Sequence, residues 1–148
     1  MSGTRGWLRA GLILLAVIQA GQGAWQYFAP RSFYGTIPTV AADPPFNDHL
    51  LSDVGGLNLA LAVVLAAAAW RLDRTLTRVA LIAYLVYSGS HLAFHATDQA
   101  QLAAGQRAFL LTGLTVLPVL AAALLLTTRP SGAGEAREPG PPAARSRR

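Results

Sequence analysis

Apolar and polar positions alternate along this chain in long blocks. Four stretches rich in Leu, Ala, Val and Ile cover residues 7–28, 49–70, 79–95 and 107–127, and polar or proline-rich connections separate them. A helix rises 1.5 Å per residue, so about 20 residues cross a hydrocarbon core of ~30 Å. The pattern predicts an all-α fold, a bundle of four transmembrane helices occupying residues 1–128. The first stretch also resembles a signal peptide, with Arg5 and Arg9 preceding an apolar run. No clean small-x-small cleavage site follows and apolar character resumes beyond Gln22, which favours an uncleaved span.

The connections differ in kind. Residues 29–48 hold Pro30, Pro38, Pro44 and Pro45 and are expected to be neither helix nor central strand. Phe33, Tyr34, Ile37 and Phe46 make this segment partly apolar, so it is expected to lie on the bundle mouth or in the membrane interface, not free in water. Residues 71–78 form a short basic connection, implying that the second and third helices are antiparallel neighbours. The third span, 79–95, reads as the shortest. In the second, Gly56 and Ala60 make a small-x-x-x-small pair that allows close helix approach in lipid. Pro118 is expected to kink the fourth. Beyond residue 128 the composition turns to Pro, Gly, Ala, Arg and Glu, which predicts a disordered tail, 129–148.

Composition supports the membrane reading. Charged residues are 13% and hydrophobic residues 53%, against roughly 25% charged in soluble domains. All twelve basic residues are Arg. They sit at helix ends and in the tail, a distribution suited to a membrane and not to nucleic acid. Ten of them, including Arg5, Arg9, Arg71, Arg74 and Arg78, fall on the N-terminal, 71–78 and tail side; Arg31 and Arg107 fall on the other. The positive-inside rule then places both termini in the cytoplasm, in a cell membrane. Trp7 and Trp70 would lie at the inner interface, with Trp25, Tyr27 and Phe28 at the outer. The absence of Cys excludes disulfides, thiolate catalysis and iron–sulfur clusters.

This topology gathers the polar side chains on the outer side. Gln19, Gln22 and Gln26 form a stripe on the first helix, and Tyr84, Ser88, His91 and His95 form one on the third. His49 and Asp53 begin the second helix, and Thr112 and Thr115 lie in the outer half of the fourth. Asn47 and Asp48 are natural N-cap residues for the second helix. Asp53 and His91 fall at similar depth, where ionisable groups are expected to face the interior and pair. Three uses compete for the cluster of His49, Asp53, His91, His95, Gln22, Gln26 and Ser88. The first is structural, an interhelical hydrogen-bonding set fixing register. The second is a metal site, or axial haem ligation, at His49, Asp53, His91 and His95, which offer imidazole and carboxylate donors. The third is a pocket for a quinone or lipid headgroup, with His91 and Asp53 as its polar pair. Asn58, five residues past Asp53, points to another face and reads as a packing hydrogen bond. No nucleophile elbow, zincin, kinase or phosphate-loop motif occurs, so catalysis has no positive signal.

The segments P-R-S-F-Y (30–34), F-N-D-H-L-x-x-D-V-G-G-L-N-L-A-L (46–61) and H-x-x-x-H (91–95) resemble a family of small actinobacterial four-helix membrane proteins. The four-span arrangement, with a proline after the first span and Gly-Gly in the second, also resembles the broader DoxX-like set. That resemblance implies association with redox complexes and transfers no residue roles. The expected protein is therefore a non-enzymatic accessory or partner-binding membrane protein. Its expected partners are membrane lipids and another membrane subunit or a second copy; the alternative is a redox-associated protein.

Overall fold

A computed structural model describes residues 2–41, 45–97 and 102–128; the predicted tail lies outside the described residues. Among the described residues, six helices occur in the order α1 (Ser2–Phe28), α2 (Pro30–Thr36), α3 (Pro38–Ala41), α4 (Asp48–Arg71), α5 (Arg74–Thr97) and α6 (Ala104–Thr127). Of these, α1, α4, α5 and α6 are long and apolar enough to cross a membrane. They pack α1 on α4, α4 on α5, α5 on α6 and α6 back on α1, closing a ring.

The helix ends follow local chemistry. Asn47 is extended and its Oδ1 accepts from the Leu50 N–H at 3.0 Å, starting α4 as an N-cap should. Asp73 does the same for α5, accepting from the Leu76 N–H at 2.8 Å. That cap starts α5 at Arg74, so the third span is 24 residues long, the same length as α4 and α6. It is not the shortest, and the basic connection contracts to Leu72 and Asp73. Leu72 carries the turn in the left-handed region, φ 49°, a conformation costly for a residue with a Cβ. The Gln106 side chain accepts from the Ala103 N–H at 3.2 Å and sets the start of α6. That helix continues without a break through Pro118.

The proline-rich connection is a correction to the sequence reading, because it contains two short helices. Pro30 and Pro38 each open a helix at its first position, where the backbone N–H has no intrahelical partner to lose. Ile37, held extended by the proline after it, separates them. Phe33 is buried, with its ring edge-on to Trp25 at 5.4 Å, and Trp25 Nε1 donates to Ser32 Oγ at 3.2 Å. Here α2 touches α1 and α4 while α3 reaches α6, so the segment does lie across one mouth of the bundle.

The apolar core occupies the opposite half. Leu12, Leu15 and Ala16 of α1 meet Leu65, Ala68 and Ala69 of α4, Ala80, Leu81 and Tyr84 of α5, and Ala121 and Leu124 of α6. Arginines tie the helix ends there. Arg9 Nε donates to the Ala69 carbonyl at 3.2 Å, Arg74 Nε to the Thr128 carbonyl at 3.0 Å, and Arg78 Nη1 to Thr128 Oγ1 at 3.3 Å. The first two bonds satisfy carbonyls that a helix C-terminus leaves without partners, and the third reaches a hydroxyl beside them.

Candidate functional site

The deepest polar group lies between α1 and α4. Asn58 is fully buried and sits near the middle of α4. Its Oδ1 accepts from Gln19 Nε2 at 3.1 Å, and its Nδ2 donates to Gln26 Oε1 at 2.7 Å. The two glutamines are seven residues apart, about 10.5 Å along α1, so one asparagine bridges two points on the facing helix. Tyr87 of α5 lies beside Asn58.

Two glycines make the clasp possible. A Cβ on Gly55 would fall 2.7 Å from the Tyr27 nitrogen and 2.9 Å from the Gly23 carbonyl. One on Gly23 would fall 2.8 Å from the Gly55 carbonyl. Only hydrogen at these positions lets the backbones approach closely enough for amide side chains to span the gap. Gly56, half of the pair expected from sequence, faces open space with nothing within 4 Å.

The histidines and Asp53 lie elsewhere. His49 Nε2 and Asp53 Oδ2 are 3.4 Å apart on consecutive turns of α4, with side chains 89% and 65% exposed. The expected interior orientation of Asp53 is thereby corrected. Asp53 and Asn58 are five residues apart, about 140° around the helix, and Asn58 holds the inward face. On α5, His91 and His95 are half-buried, with ring centroids 4.6 Å apart and edge-on. Tyr87 stacks parallel to His91 at 6.0 Å. Tyr87, His91 and His95 thus form a ladder of rings leading from the Asn58 clasp toward the rim.

His49, Asp53, His91 and His95 remain two separate pairs. Among the described residues, no three His, Asp or Glu side chains gather closely enough to hold a metal. Of the remaining cluster residues, Gln26 joins the clasp and Gln22 is half-buried beside it. Ser88 is buried, and its hydroxyl has no hydrogen-bond partner among the described residues. Thr112 and Thr115 are exposed, and Thr115 Oγ1 donates to the Leu111 carbonyl of its own helix at 2.6 Å.

No family model, curated protein or solved structure matches the chain. The site is therefore read from its own chemistry. Gln19, Asn58 and Gln26 are amides, which do not titrate, and they bond one another, while Ser88 adds a buried hydroxyl. His49, Asp53, His91 and His95 lie at or near one rim of the bundle.

Sequence reasoning missed Gly23 and undervalued Gln19. The signal was present: Gln19, Gly23 and Gln26 stand at i, i+4 and i+7 on one stripe of α1, and Gly55 and Asn58 at i, i+3 on α4.

Proposed function

We propose that this is a non-enzymatic accessory protein of the cell membrane, with both termini cytoplasmic, which binds a partner through its outer rim. The observation that carries the reading is the separation of buried from exposed polar groups. Gln19, Asn58 and Gln26 satisfy each other inside the bundle, as helix-fixing residues do in lipid. His49 and Asp53 are held out at the rim as an exposed pair, where a second membrane subunit or another copy of this chain meets them. The orientation is supported by arginine placement: Arg5, Arg9, Arg71, Arg74 and Arg78 share one end, against Arg31 and Arg107 at the other.

The test is a photo-crosslinking residue placed at position 49 or 53 in native membranes, with position 70 as the comparison at the other end. The expected outcome is a discrete adduct from the rim positions, of dimer mass for self-association or of another defined mass for a second subunit. Lipid adducts alone from both rim positions would overturn the reading.

One observation favours a second reading. The Tyr87–His91–His95 ladder offers parallel and edge-on ring surfaces ending near a hydrogen-bonding amide. A planar carbonyl ligand of the quinone class fits such a surface, and the DoxX-like resemblance points the same way. Near-stoichiometric quinone in protein purified in mild detergent, lost in a His91→Ala/His95→Ala double variant, would establish this reading in place of the first. The same sample gives its metal content and haem absorption.

A further inference from the structure

A groove of roughly 550 Å³ runs along the lipid-facing side of the α1–α4 seam at the arginine-bearing end. Its floor is Ala16, Ala66 and Ala69, and it is recessed because these side chains stop at Cβ. Ile13 and Val17 form a wall, and Arg9 and Trp70 stand at the mouth. We propose that this groove binds one anionic phospholipid, with its phosphate on Arg9 and an acyl chain along the alanine floor.

The charge at the mouth argues for this occupant. Arg9 Nε is committed to the Ala69 carbonyl at 3.2 Å, which fixes the plane of the guanidinium. Its two terminal amino groups form no hydrogen bond with a described residue, and no acidic side chain lines the groove. A guanidinium held this way presents a fork suited to phosphate oxygens. Its level in the bundle is that of a headgroup. Arg9 lies close to the end of α4, next to Trp70, which is 85% exposed and belongs in the interfacial aromatic belt. From there the groove continues only past apolar side chains, so a free phosphate would occupy the mouth and leave the rest unfilled. The neighbouring Arg5 and Arg71 add positive field at the same end and favour a lipid of net negative charge over a zwitterionic one. The proposal needs the four helices to span a membrane; it does not depend on which end is cytoplasmic or on the rim-partner reading.

The experiment titrates phosphatidylglycerol, with phosphatidylcholine as the comparison, into the full chain in mild detergent and counts bound lipid by native mass spectrometry. The wild type is expected to retain one phosphatidylglycerol in preference to phosphatidylcholine. Arg9→Gln is expected to weaken that binding about fivefold, the effect of one arginine at a membrane surface, and Arg9→Lys to recover only part of it, because the ammonium keeps the charge and loses the fork. Ala66→Phe fills the exposed part of the floor without touching Arg9 and is expected to abolish retention with the melting temperature unchanged. Arg107→Gln, at the other end, is expected to bind as the wild type. Equal retention of the two lipids, or wild-type binding by both Arg9→Gln and Ala66→Phe, would overturn the proposal. So would displacement of the lipid by glycerol phosphate, which marks a simple anion site, or a dimer mass lost in Ala66→Phe, which marks a second copy as the occupant.

Discussion

The α1–α4 seam and α6 meet the same problem with opposite results. Along α1, burial continues from Gly11 and Leu12 through Gln19 and Gly23 to Gln26, so the seam is closed over most of the span. In α6 the buried residues, Ala121 and Leu124, both lie near the arginine-bearing end, while Phe109 at the other end is 80% exposed. Lipid supplies no hydrophobic drive between helices, because a leucine is as well solvated by acyl chains as by another leucine. What holds helices together is close packing and hydrogen bonds. The seam has both, through Gly23, Gly55 and the Asn58 amide; the far half of α6 has no such glycine contact and is tied to α5 by an exposed bond from Arg107 Nη2 to the Ala96 carbonyl at 3.4 Å. The polar end of this bundle is therefore closely packed on one side and loosely packed on the other.

The comparison can be broken most directly at its glycines. Gly55→Leu is expected to cost about 3 kcal/mol in thermal or chemical denaturation in detergent, the upper range for overpacking, because the new side chain meets backbone. Gly56→Leu, one residue away and facing open space, is expected to be neutral or slightly stabilising. Equal effects at the two positions would refute the close approach. Asn58→Leu removes both amide bonds and leaves Gln19 and Gln26 without partners, so a loss of about 2 kcal/mol is expected. Asp73→Ala deletes the α5 cap and should cost about 1 kcal/mol, without affecting the seam. Asp53→Asn breaks only an exposed pair, and its cost is expected below about 0.5 kcal/mol. An unfolding midpoint shifted as far as in Asn58→Leu would place Asp53 in the interior after all.

Much of the architecture was legible because helices long and apolar enough to cross a membrane leave runs that single residues cannot disguise. The ends were less legible. The stretch from Arg74 to Arg78 reads as loop by charge, yet Asp73 caps it into α5, and two of its arginines bond a helix end instead of facing outward. Pro30 and Pro38 read as breakers because the sequence does not announce that each stands at a first helical position. The site was half visible. Periodicity established that Asp53 and Asn58 face different ways; it could not say which of them faces inward. Ionisable residues drew the interior assignment, although an uncharged amide costs less to bury and can donate and accept at once. The Gly23–Gly55 approach stayed hidden because it depends on two helices whose relative register no single-helix pattern contains.

One consequence of the seam concerns the order of synthesis. Every residue of the Gln19–Asn58–Gln26 clasp and of the Gly23–Gly55 approach precedes Leu72. A chain made from its N-terminus has therefore produced the whole first hairpin before the third span exists. Its amides can find one another while the rest is still being translated, with α2 and α3 shortening the loop that must close. The later pair then assembles on a finished surface instead of taking part in a four-way search.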